Sequence, residues 1–372
     1  MKKTFFFILF LPLLGCQNNR NSQSTDTMST DKFEWQEAKS APPGYPIEVY
    51  TGGLQSKNGF TSLYSGTTLG LKGWGTGGGG MSSGLKTIPN HLHVIWVSYF
   101  EHKFYEIDTP IDYEKMVSLF NEGYYEMSFV NDPNAKEPSL NKTNYKTIMV
   151  GFAPGGVVVI WVAGAGRQIE VGRYQGKEIT FTQEQIDELP SGPKKNMHNI
   201  EYHNNILYHW KMVPKEIVDK VKDKPVPYGL WDTYRKKYNW QLSFEFLHQE
   251  KVKDVNYGFY NGEREFLFGE TLIEVYPEIP ESFRWTTHKE RAVPKSVSFR
   301  WIIDDATYSC SVKFDEEEIF KAFRDVFGDS PNTEAELVVY INDSRTDATV
   351  ALKSKYKEIA LFDGKIIVKR RK

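Results

Sequence analysis

Pro89 and Trp96 return as Pro294 and Trp301, and Gly123 returns as Gly328: 294−89, 301−96 and 328−123 each give 205. Two equal Pro-to-Trp intervals, each followed by two strand-like runs and an amphipathic helix closed by Gly, restrict the chain to folds in which one unit occurs twice. The match extends upstream, where Phe33-Glu34-Trp35-Gln36 answers Tyr238-Asn239-Trp240-Gln241 at 240−35 = 205, and Gly66-Thr67-Thr68-Leu69 answers Gly269-Glu270-Thr271-Leu272 at 269−66 = 203. Downstream, Glu170 to Lys177 answers Glu358 to Lys365 at 364−176 = 188. The shorter offset reflects a longer loop after the first helix, with Asn131-Asp132-Pro133-Asn134 facing Asp329-Ser330-Pro331-Asn332; loops absorb length changes. The expected fold is α+β: two similar lobes from an internal duplication, each a mostly antiparallel sheet with one main helix, joined by a helical connector. The expected bounds are 33–181 for the first lobe, 182–237 for the connector and 238–372 for the second lobe.

The chain begins Met1-Lys2-Lys3, continues with an apolar run from Phe5 to Leu14, and reaches Leu13-Leu14-Gly15-Cys16. A membrane-spanning helix needs about 20 apolar residues, so residues 1–15 read as a signal peptide. Its end resembles the lipobox of bacterial lipoproteins, which implies that Cys16 becomes the lipidated first residue of the mature chain. Residues 16–32 are Asn, Gln, Ser and Thr with almost nothing apolar, and make a flexible tether with a reach of roughly 20 Å. Gln17 is not the Asp that, by the same resemblance, retains lipoproteins at an inner membrane, and no acidic run follows Cys16. The expected location is the periplasmic face of an outer membrane.

Balanced charge, 46 basic against 48 acidic residues, gives no electrostatic case for nucleic acid. With only two cysteines, one of them Cys16, no intramolecular disulfide is available, so apolar cores must carry the stability. Leu92 to Tyr99 and Lys103 to Ile107 read as a hairpin, and Asp112 caps a helix whose Tyr113, Met116, Val117 and Phe120 share one face before Gly123 ends it. Asp315 caps the second helix, with Ile319, Phe320, Phe323 and Phe327 as its inner stripe and Gly328 at its close. Thr147 to Phe152 and Val157 to Val162 flank Ala153-Pro154-Gly155-Gly156, which has type II turn chemistry. The run Val157-Val158-Val159-Ile160-Trp161-Val162 does not alternate, as expected of a strand covered on both faces. In the connector, Thr182 and Gln185 form a capping box, and short helices are expected over Pro214 to Lys222 and Tyr228 to Tyr238.

Gly66 to Gly84 holds nine glycines in nineteen residues. It spells G-x-G-x-x-G from Gly75 to Gly80 and G-x-S-x-G from Gly80 to Gly84 around Ser82. Both motifs require a strand before and a helix after, and the sequence supplies neither, so a mobile surface loop is the better reading. This loop diverges from its stiff, acidic counterpart Tyr276-Pro277-Glu278-Ile279-Pro280-Glu281. Trp74, Gly75, Gly77 and Gly80 are therefore candidate recognition residues, with Trp74 as an aromatic anchor, and the long Ser128 to Asn144 loop joins them. His91 and His93, and the group His198, His203 and His209, lack zinc-site spacing and read as surface or hydrogen-bonding histidines. Glu101-His102 sits in a tight turn and could form an acid/base pair or be polar for solvation alone. Cys310 shares a strand face with Tyr308, Val312 and Phe314 and reads as buried. No cofactor or metal is expected.

With the lipobox, Trp96-Val97-Ser98-Tyr99-Phe100-Glu101-His102-Lys103-Phe104-Tyr105 and Val150-Gly151-Phe152-Ala153-Pro154-Gly155-Gly156-Val157-Val158-Val159 in view, the chain resembles the bacterial lipoprotein family called domain of unknown function 2931. Membership implies an envelope lipoprotein and no activity. Some members look like neighbours of type VI secretion lipase effectors, which implies immunity proteins. Three classes of function stay open. The first is a non-enzymatic binding protein that masks a toxin, with a protein partner and a membrane contact through Cys16. The second is a glycan-binding lipoprotein that uses Trp74, Trp231 and Trp285, and the third is a hydrolase built on Ser82 or on Glu101 and His102. Metabolic labelling with a fatty-acid analogue tests the anchor: the wild type takes up label, and Cys16→Ala does not.

Overall fold

The computed structural model describes residues 31–128, 139–328 and 333–371. Cys16, the leader, the tether as far as residue 30, and the Asn131–Asn134 and Asp329–Asn332 segments lie outside them. The amino-terminal half contains β1 (Gln36–Ser40), β2 (Ile47–Ser56), β3 (His91–Ser98), β4 (Lys103–Pro110), α1 (Tyr113–Glu122), β5 (Thr147–Ala153), β6 (Val157–Gly164) and β7 (Arg167–Gln175). The carboxy-terminal half contains β8 (Lys237–Glu245), β9 (Lys251–Phe259), β10 (Arg264–Phe268), β11 (Pro294–Ile303), β12 (Ala306–Lys313), α2 (Glu316–Phe327), β13 (Ala335–Ile341), β14 (Ala348–Ser354), β15 (Glu358–Leu361) and β16 (Lys365–Arg370). The architecture is mixed α+β and strand-rich, with several mostly antiparallel sheets.

β2, β3 and β4 pair antiparallel in that order, and so do β9, β11 and β12. β1 runs parallel to β5, which continues antiparallel through β6 and β7; β8 runs parallel to β13, which continues antiparallel through β14 and β15. Trp96 on β3 stacks on its cross-strand neighbour Tyr105 with ring centroids 5.5 Å apart, and Trp301 on β11 stacks on Tyr308 at 5.5 Å. The indole N–H of Trp35 donates to the Lys86 carbonyl at 3.3 Å, and that of Trp240 donates to the Arg291 carbonyl at 3.3 Å. Just after Gly66 the parallel is interrupted: Thr67–Thr68 is a short strand, whereas Glu270–Val275 is a helix.

The sheets do not divide cleanly between the halves. One nine-stranded sheet, in the order β1-β5-β6-β7-β10-β9-β11-β12-β16, takes strands from both. Its two parts meet where Gln168 of β7 pairs with Arg264 of β10. The reason lies in β6, which is apolar on both faces. Val158, Ile160 and Val162 enter the amino-terminal core with Trp96 and Phe120, whereas Val157, Val159 and Trp161 enter the core that contains Trp240, Trp301 and Phe323. A strand of this kind is stable only with a hydrophobic layer on each side, so the carboxy-terminal half supplies the second layer.

Both main helices form where their apolar spacing and caps place them. Asp112 accepts from the Lys115 N–H at 3.0 Å, Met116, Val117 and Phe120 are buried, and the Gly123 N–H returns to the Leu119 carbonyl. Asp315 accepts from the Glu318 N–H at 3.1 Å, and Ile319, Phe320, Phe323 and Phe327 are buried. The Pro154-Gly155 turn holds Gly155 at φ 75, as type II chemistry requires. Two expectations need correction. The helix foreseen over Tyr228 to Tyr238 covers only Leu230–Thr233, and Tyr238 lies on β8 because its ring packs on Phe323 and Phe327 of α2. The Ser128 to Asn144 loop has paired ends, with Tyr124–Ser128 against Ser139–Thr143.

The segment between the halves holds short helices, including Gln183–Asp187 with its Thr182/Gln185 capping box. Met197, Ile206 and Leu207 pack on Tyr50, Val97, Tyr99 and Phe104 of the amino-terminal half, whereas Trp231 and Tyr234 enter the other core. Among the described residues no helix is long and apolar enough to cross a membrane.

The junction depends on Gln168, 2% exposed, whose side-chain N–H₂ donates to the Gly75 carbonyl at 2.7 Å and the Gly262 carbonyl at 2.6 Å. Gln168→Ala strips two buried carbonyls of their donor, and the expected loss is about 2 to 4 kcal/mol, read as a lower urea midpoint.

Candidate functional site

β1 is an edge strand of the nine-stranded sheet, and such an edge normally invites aggregation. Here the glycine-rich loop lies along it. A Cβ on Gly77 would sit 2.3 Å from the Lys39 carbonyl oxygen, and one on Gly80 would sit 2.0 Å from that of Glu37. Only glycine lets the two backbones approach so closely. Gly75 has φ +71, and its Cα packs against Gly262 where the two halves meet.

A buried carboxylate fastens the far end of the loop. Glu37 accepts from the Met81 N–H at 2.7 Å, the Ser82 N–H at 3.1 Å and the Ser82 hydroxyl at 2.7 Å, with Lys86 at 3.7 Å. Burial by itself raises the Glu37 pKa, but hydrogen bonds from Ser82 and Met81 outweigh it and hold the group below the usual carboxylate range. The Ser82 hydroxyl therefore belongs to a clasp, accepting from Lys86 at 3.1 Å while donating to Glu37.

Between this loop and the Thr67 to Lys72 turn lies a cavity of about 290 Å³, floored by Glu37, Ala38 and Lys39 and walled by Gly77 to Gly80. Lys39 is 8% exposed and donates to the Gly66 carbonyl at 2.8 Å. Burial pushes its pKa down to about 8, with Glu48 pulling the other way. Glu48 is itself buried and accepts from Thr67 at 2.5 Å and from the Tyr99 hydroxyl at 2.8 Å. Gly78 and Gly79 border the cavity, and a side chain at Gly78 would meet nothing within 4 Å.

Trp74 is not an exposed anchor. It is 7% exposed and packs edge-to-face on Trp161 with centroids 5.0 Å apart, because the loop is drawn into the junction. Trp231 is 1% exposed, and Trp285 packs against Phe244. Gly75 belongs to the junction, while Gly77 and Gly80 line the cavity. The loop is thus a packed element, not a free surface segment.

Glu101 and His102 do not pair. Glu101 accepts from the Tyr105 hydroxyl at 2.9 Å, the Tyr228 hydroxyl at 3.0 Å and the Gly155 N–H at 3.1 Å. His102 instead meets His203, Nδ1 to Nδ1, at 3.0 Å, and His203 also reaches the Met197 carbonyl at 2.7 Å. Burial lowers both imidazole pKa values, so this is a contact between neutral rings. His198 stacks on Phe104 at 4.6 Å, and His91 and His93 pair with Asp108 and Glu106. Cys310 is 1% exposed, and burial pushes its thiol up to about 12. Among the described residues no group of three or more His, Cys, Asp or Glu could hold a metal ion.

The family described as Protein of unknown function (DUF2931) matches residues 17–229, more than half of the chain. The chain belongs to that family. No curated protein and no solved structure matches. The DUF2931 match takes in the glycine-rich loop, β1 and the whole cavity floor. Lys39, Glu37 and Glu48 carried no signal in the sequence: they are polar residues on strands, and only the register shows them buried.

Lys39 gives the site a pH signature. Below about pH 8 folded and unfolded chains both hold the proton, and the fold bears the cost of a desolvated ammonium. Between about 8 and the usual 10.5 only the unfolded chain keeps it, so stability rises with pH across that window. Lys39→Met is expected to flatten this rise, measured as the change in urea midpoint between about pH 7.5 and pH 9.5.

Proposed function

We propose that this DUF2931 protein is a non-enzymatic binding protein of the cell envelope, held at the periplasmic face of the outer membrane by lipid on Cys16. Its partner is a protein, and the role is immunity against a type VI secretion lipase effector. One observation carries the binding reading. Ten of the fifteen large apolar side chains exposed among the described residues fall on residues 60–85 and 200–228, among them Phe60, Leu71, Met81, Leu85 and Trp210. These two stretches approach one another, since Leu69 packs on the cluster that holds Ile206 and Leu207, and Tyr202 packs on Trp210 at 5.3 Å. Apolar surface concentrated beside a glycine-walled cavity is the chemistry of a protein-docking face.

We further propose that the chain is an internal duplication, with lobes at 33–181 and 238–372 and a connector at 182–237. The support is the matched pairing order, the two Trp–Tyr stacks at 5.5 Å and the two indole hydrogen bonds at 3.3 Å.

The docking face is tested at Gly78 and Gly79, where a Cβ meets nothing closer than 4.0 Å. Gly78→Trp and Gly79→Trp fill the cavity mouth. In a host that exports a candidate lipase effector to its periplasm, the wild type is expected to restore survival. Both variants are expected to protect at least about tenfold less well, with the thermal midpoint unchanged. Full protection by both variants would move the partner site away from the loop.

A further inference from the structure

The outward face of the carboxy-terminal sheet is built differently from that of its amino-terminal counterpart. In the amino-terminal sheet, Tyr50, Val97 and Phe104 point outward and are covered by Met197, Ile206 and Leu207. In the carboxy-terminal sheet, Val255, Phe299, Trp301 and Cys310 point into the core, and the alternate positions point away from it. There they line a groove of about 780 Å³, within the span of about 300 to 1,000 Å³ common for small-ligand sites.

The strand register arranges this floor in rows. Asn256 pairs with Ser298 and Ser298 with Ser311, which makes a neutral row across β9, β11 and β12. One step along the strands, Asp254 pairs with Arg300, Arg300 with Ser309 and Ser309 with Lys369, which makes a charged row. Rows two residues apart lie about 7 Å from one another. Asp254 is 1% exposed and is bonded by Arg300 at 2.7 Å, so it orients that guanidinium. Arg371 donates to Ser309 at 2.8 Å and adds its charge beside Lys369.

The groove is therefore cationic: Lys253, Arg300, Lys369 and Arg371 face one carboxylate, Asp254. Like charges gathered on one sheet face cost stability, and an anion relieves that cost. The neutral row offers hydroxyl and amide groups that both donate and accept, which suits a polyol. Ile367, 40% exposed, gives the rim one apolar contact for the C–H face of a sugar ring.

We infer that this groove is a second binding site, for a saccharide that carries a phosphate or carboxylate. The anion sits on Arg300 and Lys369, and the sugar hydroxyls sit on Asn256, Ser298 and Ser311. The site is separate from the loop cavity and stands whether or not the partner of that cavity is a toxin.

Calorimetric titration of the full chain in detergent tests this, with trigalacturonate and glucose 6-phosphate as probes and with maltotriose, inorganic phosphate and a hexaglutamate peptide as comparators. At least one anionic sugar is expected to bind about tenfold or more tightly than every comparator, and binding is expected to weaken with added salt. Lys369→Glu and Ser311→Glu, both at exposed positions, are expected to lower that affinity at least about tenfold with the thermal midpoint and Gly78-dependent protection unchanged. Lys369→Gln, a milder change, should give a smaller loss in the same direction. Binding of neither anionic sugar overturns the inference. Equal binding of inorganic phosphate or hexaglutamate overturns the saccharide assignment, and unchanged affinity in folded Lys369→Glu and Ser311→Glu chains overturns the location.

Discussion

The fold depends on one strand that two cores share. β6 presents Val158, Ile160 and Val162 to one core and Val157, Val159 and Trp161 to the other, all six buried. Trp161, at 0% exposure, gives the largest single share of the attraction, since burying such a ring removes about 150 to 250 Å² from water. It also sets the tightest constraint, because its neighbours must be small. A Cβ on Gly151 would come within 2.5 Å of the Trp161 ring and 2.7 Å of the Trp74 ring, and one on Gly262 would come within 3.1 Å of Trp161. The indole N–H is satisfied across the junction by the Asn261 carbonyl at 3.1 Å. The amino-terminal half therefore cannot complete its outer layer alone, and the nine-stranded sheet follows from that.

The glycine-rich loop takes its shape from the same junction. Trp74 is drawn in against Trp161, Gln168 holds the Gly75 carbonyl, and Arg264 reaches Thr76 at 2.6 Å. From this anchored end the loop runs along β1 to the Glu37 clasp, so both ends are fixed and Gly78 and Gly79 stay open between them. A loop held in this way offers a defined cavity at little cost in ordering entropy, which is what a recognition surface needs.

Much of this architecture was legible because it rests on periodicity and caps. Asp112, Asp315, Gly123 and Gly328 mark helix ends by local chemistry, and the unbroken apolar run of β6 announced two covered faces. The glycines of the loop were legible as a feature but misread as mobility, because high glycine content fits both a flexible segment and a close backbone approach. Only the position of β1 distinguishes them, with the Lys39 and Glu37 carbonyls where side chains at Gly77 and Gly80 would be. Trp74 was misplaced for a related reason: its partner Trp161 lies 87 residues away in sequence (161−74). Lys39 and Glu48 were missed because a polar residue on a strand looks solvent-facing until its neighbours are known. Tyr238 shows the limit from the other side, since a short helical pattern yielded to strand pairing once its ring found Phe323 and Phe327.

The two outward sheet faces carry the argument about function furthest. If cores were the only demand on this chain, both faces would be covered in the same way or would be equally plain. Instead the amino-terminal face is apolar and closed by the segment from Met197 to Leu207, which runs on into exposed aromatics such as Trp210 on the proposed docking face. The carboxy-terminal face is hydroxyl-rich and cationic, and it holds Asp254, a carboxylate that is buried at a cost and oriented by Arg300. Burial raises the Asp254 pKa while Arg300 opposes the shift, so the pair is no simple stabilising bridge, and an apolar pair of similar volume would serve a core at least as well. A fold that keeps such a pair under an open groove, while its other sheet face is sealed with apolar side chains, is what two separate binding roles, as proposed, ask of its halves.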